Sequence, residues 1–338
     1  MNRLKFYSVV LSIITLTVLS ACTTNTRNPE QKNSAQSNSA KTHQMPQPMV
    51  ELNTAEVSVP ISVDDAFPVP VIDMMVAGKG PYRFAVDTGT SGGFVIRKTI
   101  VDQLPTTPIG YAMVGDGSGN TMKHVPLVLI EEAKAGDLIL KNIMTIAMKP
   151  SKDHAASIPD DLDGIIGMQI FEEYLLKLDF PKRELVVKPL ETDNGDMIGA
   201  IPYDYSQNTI KVETRIAGEL FKLAVDTGHR GTITLPISTS KKLPLSESLQ
   251  EIESVATVSN TYSRKRSRIN GTFELADHEI MDPPLIFADE HTPHLLGNGV
   301  LMNFAITIDQ ASQLILFESD SRVIKDVALF TAGISKES

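Results

Sequence analysis

Short apolar runs of valine, isoleucine, leucine and threonine recur along the chain, separated by glycine, proline, asparagine and aspartate. This pattern is typical of β-strands joined by turns, and no long amphipathic helical period competes with it. We therefore predict an all-β architecture with a few short helices. The predicted strands cover residues 56–63, 69–75, 83–86, 125–130, 139–148 and 209–216, and helical turns are predicted at 98–104 and 169–176.

One predicted strand runs into the triplet Asp87-Thr88-Gly89, and a second triplet, Asp226-Thr227-Gly228, follows 139 residues later. Each triplet comes after the same pattern of strand, tight turn and strand. Each is also followed by a pair of apolar residues and a glycine, Gly167 in the first half and Gly297 in the second. Matching contexts at matching separations indicate a unit of roughly 130 residues that occurs twice.

A strand that runs into Asp-Thr-Gly, a later hairpin and an apolar-apolar-Gly segment resemble the aspartic proteases, and are closer to a retropepsin protomer than to pepsin. The resemblance covers about residues 56–320. It implies a bilobal acid-protease fold, with two pseudo-symmetric retropepsin-like β lobes fused in one chain. It places the N-terminal lobe at residues 51–190 and the C-terminal lobe at residues 191–338.

The resemblance implies an aspartic endopeptidase in which Asp87 and Asp226 activate a water molecule between them, with no metal and no cofactor. Two carboxyl groups a few ångström apart cannot both ionise cheaply, so they share one proton. The ionised group accepts a proton from the water, and the protonated group stabilises the developing oxyanion. The residues implied to support the dyad are Thr88, Gly89, Thr90, Thr227, Gly228 and His229.

His229 departs from the family pattern, which has serine or threonine directly after the glycine, as at Thr90. The imidazole could donate a hydrogen bond to Asp226, favour the ionised form of Asp226 if protonated, or point away. A folded but inactive second site, which would make this a peptide-binding protein, therefore stays open.

A glycine-rich hairpin is predicted between the first triplet and Gly167. The resemblance implies that this hairpin is a flap over bound peptide, with Tyr111, Gly115, Gly117 and Gly119 among its residues. A matching second flap is predicted at residues 255–269, with its tip at residues 259–263. Its return strand carries the basic run of residues 264–268, which is either solvated or favours acidic substrate side chains.

The N-terminus carries Arg3 and Lys5, an apolar run, and Leu19-Ser20-Ala21-Cys22. This is the charge pattern of a signal peptide, predicted at residues 1–21. The last four residues resemble the lipobox of bacterial lipoproteins, which implies that Cys22, the only cysteine, is lipidated. Residues 22–50 are polar and predict a flexible tether. We expect anchoring in the cell envelope, on the periplasmic face of a Gram-negative outer membrane.

The net charge of −10 argues against nucleic acid as a partner, so the expected partners are an extended peptide or protein substrate and the membrane. The fused lobes are expected to be monomeric. One other enzyme class stays open, because residues 89–93 fit Gly-x-Ser-x-Gly, the nucleophile elbow of serine hydrolases, with Ser91 as the nucleophile.

Overall fold

The structure is a computed structural model that describes residues 8–9, 15–17, 48–64, 67–115, 123–148, 158, 161–190, 195–206, 208–256, 261–325 and 327. Cys22 and the tether as far as residue 47 lie outside the described residues. So does the predicted signal peptide, apart from residues 8–9 and 15–17. In the ranges that are described, no helix is long and apolar enough to cross a membrane.

The first half of the chain is built almost entirely from strands. In chain order they are β1 (Ser8–Val9), β2 (Thr15–Thr17), β3 (Met49–Leu52), β4 (Val57–Pro60), β5 (Ser62–Asp64), β6 (Phe67–Val76), β7 (Lys79–Val86), β8 (Phe94–Arg97), β9 (Thr107–Gly115), β10 (Lys123–Ala135), β11 (Leu138–Met148), β12 (Gly164–Ile166), β13 (Tyr174–Asp179) and β14 (Glu184–Pro189). A short helix, α1 (Lys98–Val101), and a 3₁₀ turn at Met168–Phe171 interrupt them.

The second half repeats this composition. Its strands are β15 (Ile201–Pro202), β16 (Lys211–Ile216), β17 (Glu219–Val225), β18 (Ile233–Pro236), β19 (Gln250–Ala256), β20 (Thr261–Arg268), β21 (Thr272–Leu275), β22 (His278–Met281), β23 (Pro284–Ala288), β24 (Leu295–Leu296), β25 (Ala305–Asp309), β26 (Leu314–Glu318) and β27 (Val323–Ile324). Its short helical elements are α2 (Asn298–Leu301) and 3₁₀ turns at Gly195–Met197 and Ile237–Lys241. The predicted all-β class is confirmed.

The described strands form three sheets. A ten-stranded N-sheet has the order β2-β9-β10-β11-β8-β12-β7-β6-β5, with β3 paired to β11. An eleven-stranded C-sheet has the order β1-β19-β20-β23-β18-β24-β17-β16-β21-β22-β27. A six-stranded shared sheet, β15-β26-β25-β13-β14-β4, contains strands of both halves. Because β13 pairs with β25 across its middle, this sheet joins the two halves through backbone hydrogen bonds.

The arrangement around β7 recurs around β17. In the N-sheet, β12 lies between β7 and β8, parallel to the first and antiparallel to the second. In the C-sheet, β24 lies in the same way between β17 and β18. Beyond them, β8 pairs in parallel with β11, and β18 pairs in parallel with β23. This recurrence assigns corresponding positions in the two sheets, such as Val95 on β8 and Thr234 on β18.

Two-residue turns also recur. Ala77-Gly78 joins β6 to β7, and Ala217-Gly218 joins β16 to β17. All four residues have positive φ, between 47° and 84°. Two positive φ angles in a two-residue loop define a turn whose twist matches that of the flanking strands, so both hairpins enter their sheets with the same geometry.

The predicted helical turn at residues 169–176 is wrong in its second part. The 3₁₀ turn ends at Phe171, and strand β13 begins at Tyr174. Leu175, Leu176 and Leu178 are buried in β13, which pairs with β14 on one side and β25 on the other. Pairing on both edges satisfies the whole backbone of the segment, and this tertiary gain outweighs the local helical pattern.

The two hairpins predicted as flaps are present, but their bounds differ from the prediction. The first consists of β9 and β10, and the second consists of β19 and β20. The second begins at Gln250 rather than at 255, and Thr261, predicted in the tip, already belongs to β20. The tips, residues 116–122 and 257–260, lie outside the described residues, and with them Gly117 and Gly119.

One apolar core runs through both halves. Its largest buried side chains include Phe84, Phe94, Phe171, Phe273 and Phe304. Phe84 and Phe94 pack with ring centroids 5.1 Å apart, on the two strands that flank β12. Because this core packs against the ends of β7 and β17, the two Asp-Thr-Gly loops are held by a rigid base.

Candidate active site

Each Asp-Thr-Gly triplet stands where a strand enters the interior of the protein. β7 and β17 are mostly exposed at their beginnings, whereas their last three residues are buried on both faces. Asp87 and Asp226 follow directly and have no exposed surface. Their backbone amides donate to Ile166 of β12 and Leu296 of β24, at 2.9 and 3.0 Å. The central strand of each sheet thus fixes the point at which each aspartate leaves its strand.

The two triplets bond to each other through their threonines. Thr88 Oγ1 donates to the carbonyl oxygen of Val225, and Thr227 Oγ1 donates to that of Val86, each at 2.7 Å. Each hydroxyl also accepts a hydrogen bond at 3.0 Å from the backbone amide of the opposite threonine. Four buried bonds therefore join the loops across the interface between the N-sheet and the C-sheet.

Gly89 brings the loops close enough for the carboxyl groups to interact. A Cβ atom at this position would lie 2.8 Å from both Cγ and Oδ1 of Asp226, which is too close for any side chain. Each carboxylate also accepts a bond from the glycine of its own triplet, from Gly89 at 2.8 Å and from Gly228 at 3.0 Å. To this point the geometry of the two aspartates is nearly symmetric.

The symmetry ends at the residue that follows each glycine. Thr90 Oγ1 donates to Asp87 Oδ2 at 2.8 Å. At the corresponding position, the His229 ring turns away from Asp226, and its Nε2 lies 2.8 Å from Thr234 Oγ1. No donor among the described residues reaches the buried Asp226 Oδ2. The structure thus resolves the choices left open for His229, because its side chain points away from the carboxylate.

This asymmetry separates the pKa values of the two carboxyl groups. Burial raises the pKa of Asp87 to about 6, opposed by the hydrogen bonds from Thr90 and Gly89, which favour the ionised form. Burial, with the charge of Asp87 second, raises the pKa of Asp226 well above its ordinary value. Burial lowers the pKa of His229 to about 3, aided by the charges of Arg264 and Arg230. At intermediate pH the arrangement favours an ionised Asp87, a protonated Asp226 and a neutral imidazole.

Comparison with known families agrees with this geometry. Residues 72–170 match the aspartyl protease family. The match includes the first triplet, the β9–β10 flap and Gly167, and it ends before the second triplet. No curated protein matches the chain. Part of the first half of the chain is thus similar to aspartyl proteases, and this similarity suggests peptidase activity.

The serine-hydrolase interpretation does not fit the structure around Ser91. A nucleophile elbow places its serine on a sharp turn from a strand into a helix. Here Ser91 precedes β8, which begins at Phe94, so the chain passes from strand to strand. Gly93 instead permits a close approach, since a Cβ atom there would lie 2.9 Å from the carbonyl oxygen of Met144 on β11.

Gly167 and Gly297 pack directly against the two Asp-Thr-Gly loops. A Cβ atom at Gly167 would lie 2.2 Å from the carbonyl oxygen of Gly92, and one at Gly297 would lie 2.5 Å from that of Gly231. The apolar-apolar-Gly segments therefore end in glycine because the loop that follows each aspartate packs directly on this backbone. The His229 ring also packs against Gly297, because a Cβ atom at Gly297 would lie 2.5 Å from His229 Cδ2.

Asn298 is a buried polar residue that the sequence analysis missed. Its Nδ2 donates to the carbonyl oxygens of Pro68 and Thr227, both at 2.6 Å. It thus links the second Asp-Thr-Gly loop to β6 of the first half. Asn298 follows Gly297 at the position where the first half has the apolar Met168. A polar residue directly after an apolar-apolar-Gly segment was the signal that could have revealed it.

Two residues predicted in the first flap, Tyr111 and Gly115, differ in their exposure to solvent. Tyr111 is 70% exposed, whereas Gly115, at the end of β9, is buried. Ala112 and Val114 of the same strand are buried in a cluster with Val95, Leu127 and Ile146. The base of the flap is therefore packed on the N-sheet, and Tyr111 projects from it.

Proposed function

We propose that the protein is an aspartic endopeptidase whose catalytic residues are Asp87 and Asp226. The observation that carries the proposal is the meeting of two buried aspartates from separate loops, joined by the reciprocal bonds of Thr88 and Thr227. Burial and mutual repulsion allow such a pair to share a proton, which is what water activation requires. The aspartyl protease match at residues 72–170 supports the same reaction class.

The donors assign different roles to the two carboxyl groups. Asp87 is the base, because the Thr90 and Gly89 donors favour its ionised form. It accepts a proton from a water molecule as the water oxygen attacks the carbonyl carbon of the scissile peptide bond. Asp226 is the acid and gives its proton to the carbonyl oxygen, forming a neutral tetrahedral diol. The C–N bond then breaks as Asp87 passes its proton to the leaving nitrogen and Asp226 recovers one from the diol.

An extended peptide suits the edges that the flaps present. The short strand β2 pairs antiparallel with β9 of the first flap, at Met113, Val114 and Gly115. The short strand β1 pairs in parallel with β19 of the second flap, at Val255 and Ala256. In the uncleaved chain, both flaps thus pair with a short strand from residues 8–17, a segment that the proposed cleavage before Cys22 removes. We propose that substrate peptides bind through the same kind of main-chain pairing, which is independent of sequence.

We also propose that the protease is attached to the cell envelope through a lipid on Cys22. The support is the Leu19-Ser20-Ala21-Cys22 sequence after an apolar run, followed by a polar tether. Mass spectrometry of the membrane-extracted protein should find an acylated N-terminal cysteine. An unmodified Cys22 preceded by residues 1–21 would contradict the anchor and leave the proposed chemistry intact.

The test of activity is cleavage of an unbiased peptide library by the detergent-extracted protein, scanned across pH. We expect cleavage by the wild type and none by Asp87→Asn or Asp226→Asn. Ser91→Ala is the matched control and should retain cleavage, since a serine hydrolase would lose it. Peptide binding without cleavage at any pH, by a folded protein, would make this a binding protein on a protease fold.

A further inference from the structure

The N-sheet and the C-sheet carry corresponding faces beneath their flaps, and these faces differ in chemistry. In the N-sheet, the register aligns Val95 of β8, Ile146 of β11 and Leu127 of β10 in one row. All three are buried, and they form a cluster with Ala112 and Val114 of the flap. Val125, two positions before Leu127 on β10, is partly buried and packs against the same cluster, so this face is apolar at both positions.

In the C-sheet the same row consists of Thr234, Ile286 and Arg266. Arg264 pairs with Ala288 in the next row on this face, at the position that corresponds to Val125. The two apolar residues of β10 are thus replaced by two arginines on β20. Both guanidinium-bearing residues are half-buried, and Arg266 donates through Nε and Nη2 to Gln250 Oε1, at 3.1 and 2.9 Å.

This cationic face adjoins the second catalytic loop. The His229 ring bonds to Thr234 in the row that contains Arg266. A Cβ atom on Gly231 would lie 2.6 Å from His229 Nε2 and 2.7 Å from the side chain of Ile286, so the ring and this row both pack closely on Gly231. Burial lowers the pKa of His229, and the charges of Arg264 and Arg230 lower it further. Arg230 follows His229 directly in the chain, and Arg264 lies on β20 in the row next to Arg266.

We propose that Arg264 and Arg230 bind an acidic side chain of the substrate on the side of the cleft formed by the C-sheet. A guanidinium group offers five N–H donors in a fork that matches a carboxylate, so each arginine can keep an existing contact and still bind one. The inference rests on the proposed protease function, and it concerns which peptides are cut rather than how.

The test uses pairs of peptides that contain one cleavage site and differ only by glutamate or glutamine, placed in turn at each of the four positions on either side of the bond. We expect one position at which wild-type protein cleaves the glutamate peptide with at least tenfold higher kcat/KM. Arg264→Val and Arg230→Ser, which install the residues found at the corresponding positions of the first half, should abolish this preference. The ratio of kcat/KM for the glutamate peptide to that for the glutamine peptide should then fall to about one.

Lys265→Gln is the matched control. Lys265 lies between Arg264 and Arg266 on the same strand, so its side chain points to the opposite face, where it pairs with Glu251 at 3.5 Å. Its replacement removes the same charge and should leave the glutamate preference intact. Arg264→Gln serves as a second variant if Arg264→Val does not fold, as judged by its thermal melting.

Different failures overturn different proposals. Equal kcat/KM for glutamate and glutamine peptides at every position would overturn the acidic specificity and leave the protease function in place. If no peptide is cut, the same peptide pairs are tested for binding to the intact protein by fluorescence anisotropy. Tighter binding of a glutamate peptide, lost in Arg264→Val, would support the specificity without catalysis, and equal binding would overturn it.

Discussion

His229 Nε2 lies 2.8 Å from Thr234 Oγ1, whereas the residues at the corresponding positions of the first half, Thr90 and Val95, make no such pair. Thr90 instead donates to Asp87, and Val95 is buried in an apolar cluster. The two differences occur together: the second half has a histidine that needs a buried polar partner, and a threonine that supplies one. As a result, Asp226 lacks a hydrogen bond like the one that Asp87 accepts from Thr90.

Replacing His229 and Thr234 by threonine and valine, the residues at the corresponding positions of the first half, should lower the pKa of Asp226. In His229→Thr with Thr234→Val, the new hydroxyl can donate to Asp226 Oδ2, as Thr90 does to Asp87. A donor to the ionised form lowers the pKa of Asp226, so the alkaline limb of the pH profile, which reports ionisation of Asp226, should move to lower pH. The measurement is kcat/KM against pH. Thr234→Val alone provides the control, and a profile unmoved in the double variant would contradict the assignment.

Removing the donor on the other side should have the opposite effect. Thr90→Val deletes the hydroxyl that stabilises ionised Asp87, whose pKa is already raised to about 6. A hydrogen bond to a charged group contributes about 1.5–3 kcal/mol, which corresponds to about one to two pKa units. The acid limb of kcat/KM should therefore shift upward by about that amount. Thr90→Ser should restore the wild-type limb, and an unchanged limb in Thr90→Val would remove Asp87 as the base.

The buried carboxyl groups should make the fold less stable as pH rises. The folded-state pKa values of Asp87 and Asp226 are raised, so between pH 4 and pH 6 the folded protein binds more protons than the unfolded chain. The free energy of unfolding then falls with rising pH across this window, and further as Asp226 ionises. Asp226→Asn cannot ionise and should lose part of this slope.

Urea denaturation of wild type and Asp226→Asn from pH 4 to pH 8 measures this effect. We expect the two proteins to converge near pH 4 and the variant to be the more stable at pH 8. A parallel pair of curves would show that Asp226 is not protonated in the folded protein. Asp204→Asn is a suitable control, because its exposed carboxyl has a lowered pKa, caused mainly by Ser206.

Asn298 should be required for both stability and rate. Its replacement by methionine, the residue at the corresponding position of the first half, leaves the carbonyl oxygens of Pro68 and Thr227 without their buried donor. Each unsatisfied buried group costs about 1–3 kcal/mol. We expect the free energy of unfolding to fall by about 2–4 kcal/mol and kcat to fall more than KM changes. Asn303→Ala, which removes a local bond to Val300 in the next turn, should cost less.

The sequence by itself determined the strand-rich class and the pair of Asp-Thr-Gly triplets with their glycines. These features depend on local causes: alternation of apolar residues, turns that need positive φ, and loops that tolerate no side chain at Gly89. The same local reasoning failed at residues 174–176, because the strand there is stabilised by neighbours far away in the chain.

Only the tertiary structure decided the direction of the His229 ring, the bridging role of Asn298 and the position of Arg264 beside Ala288, in the row next to Arg266. Each depends on which strands lie side by side. Thr234 and Pro68 are the hydrogen-bond partners of His229 and Asn298, and neither can be inferred from the spacing of residues along the chain. The triplets therefore predicted where the chemistry lies, and packing decided how the two halves differ.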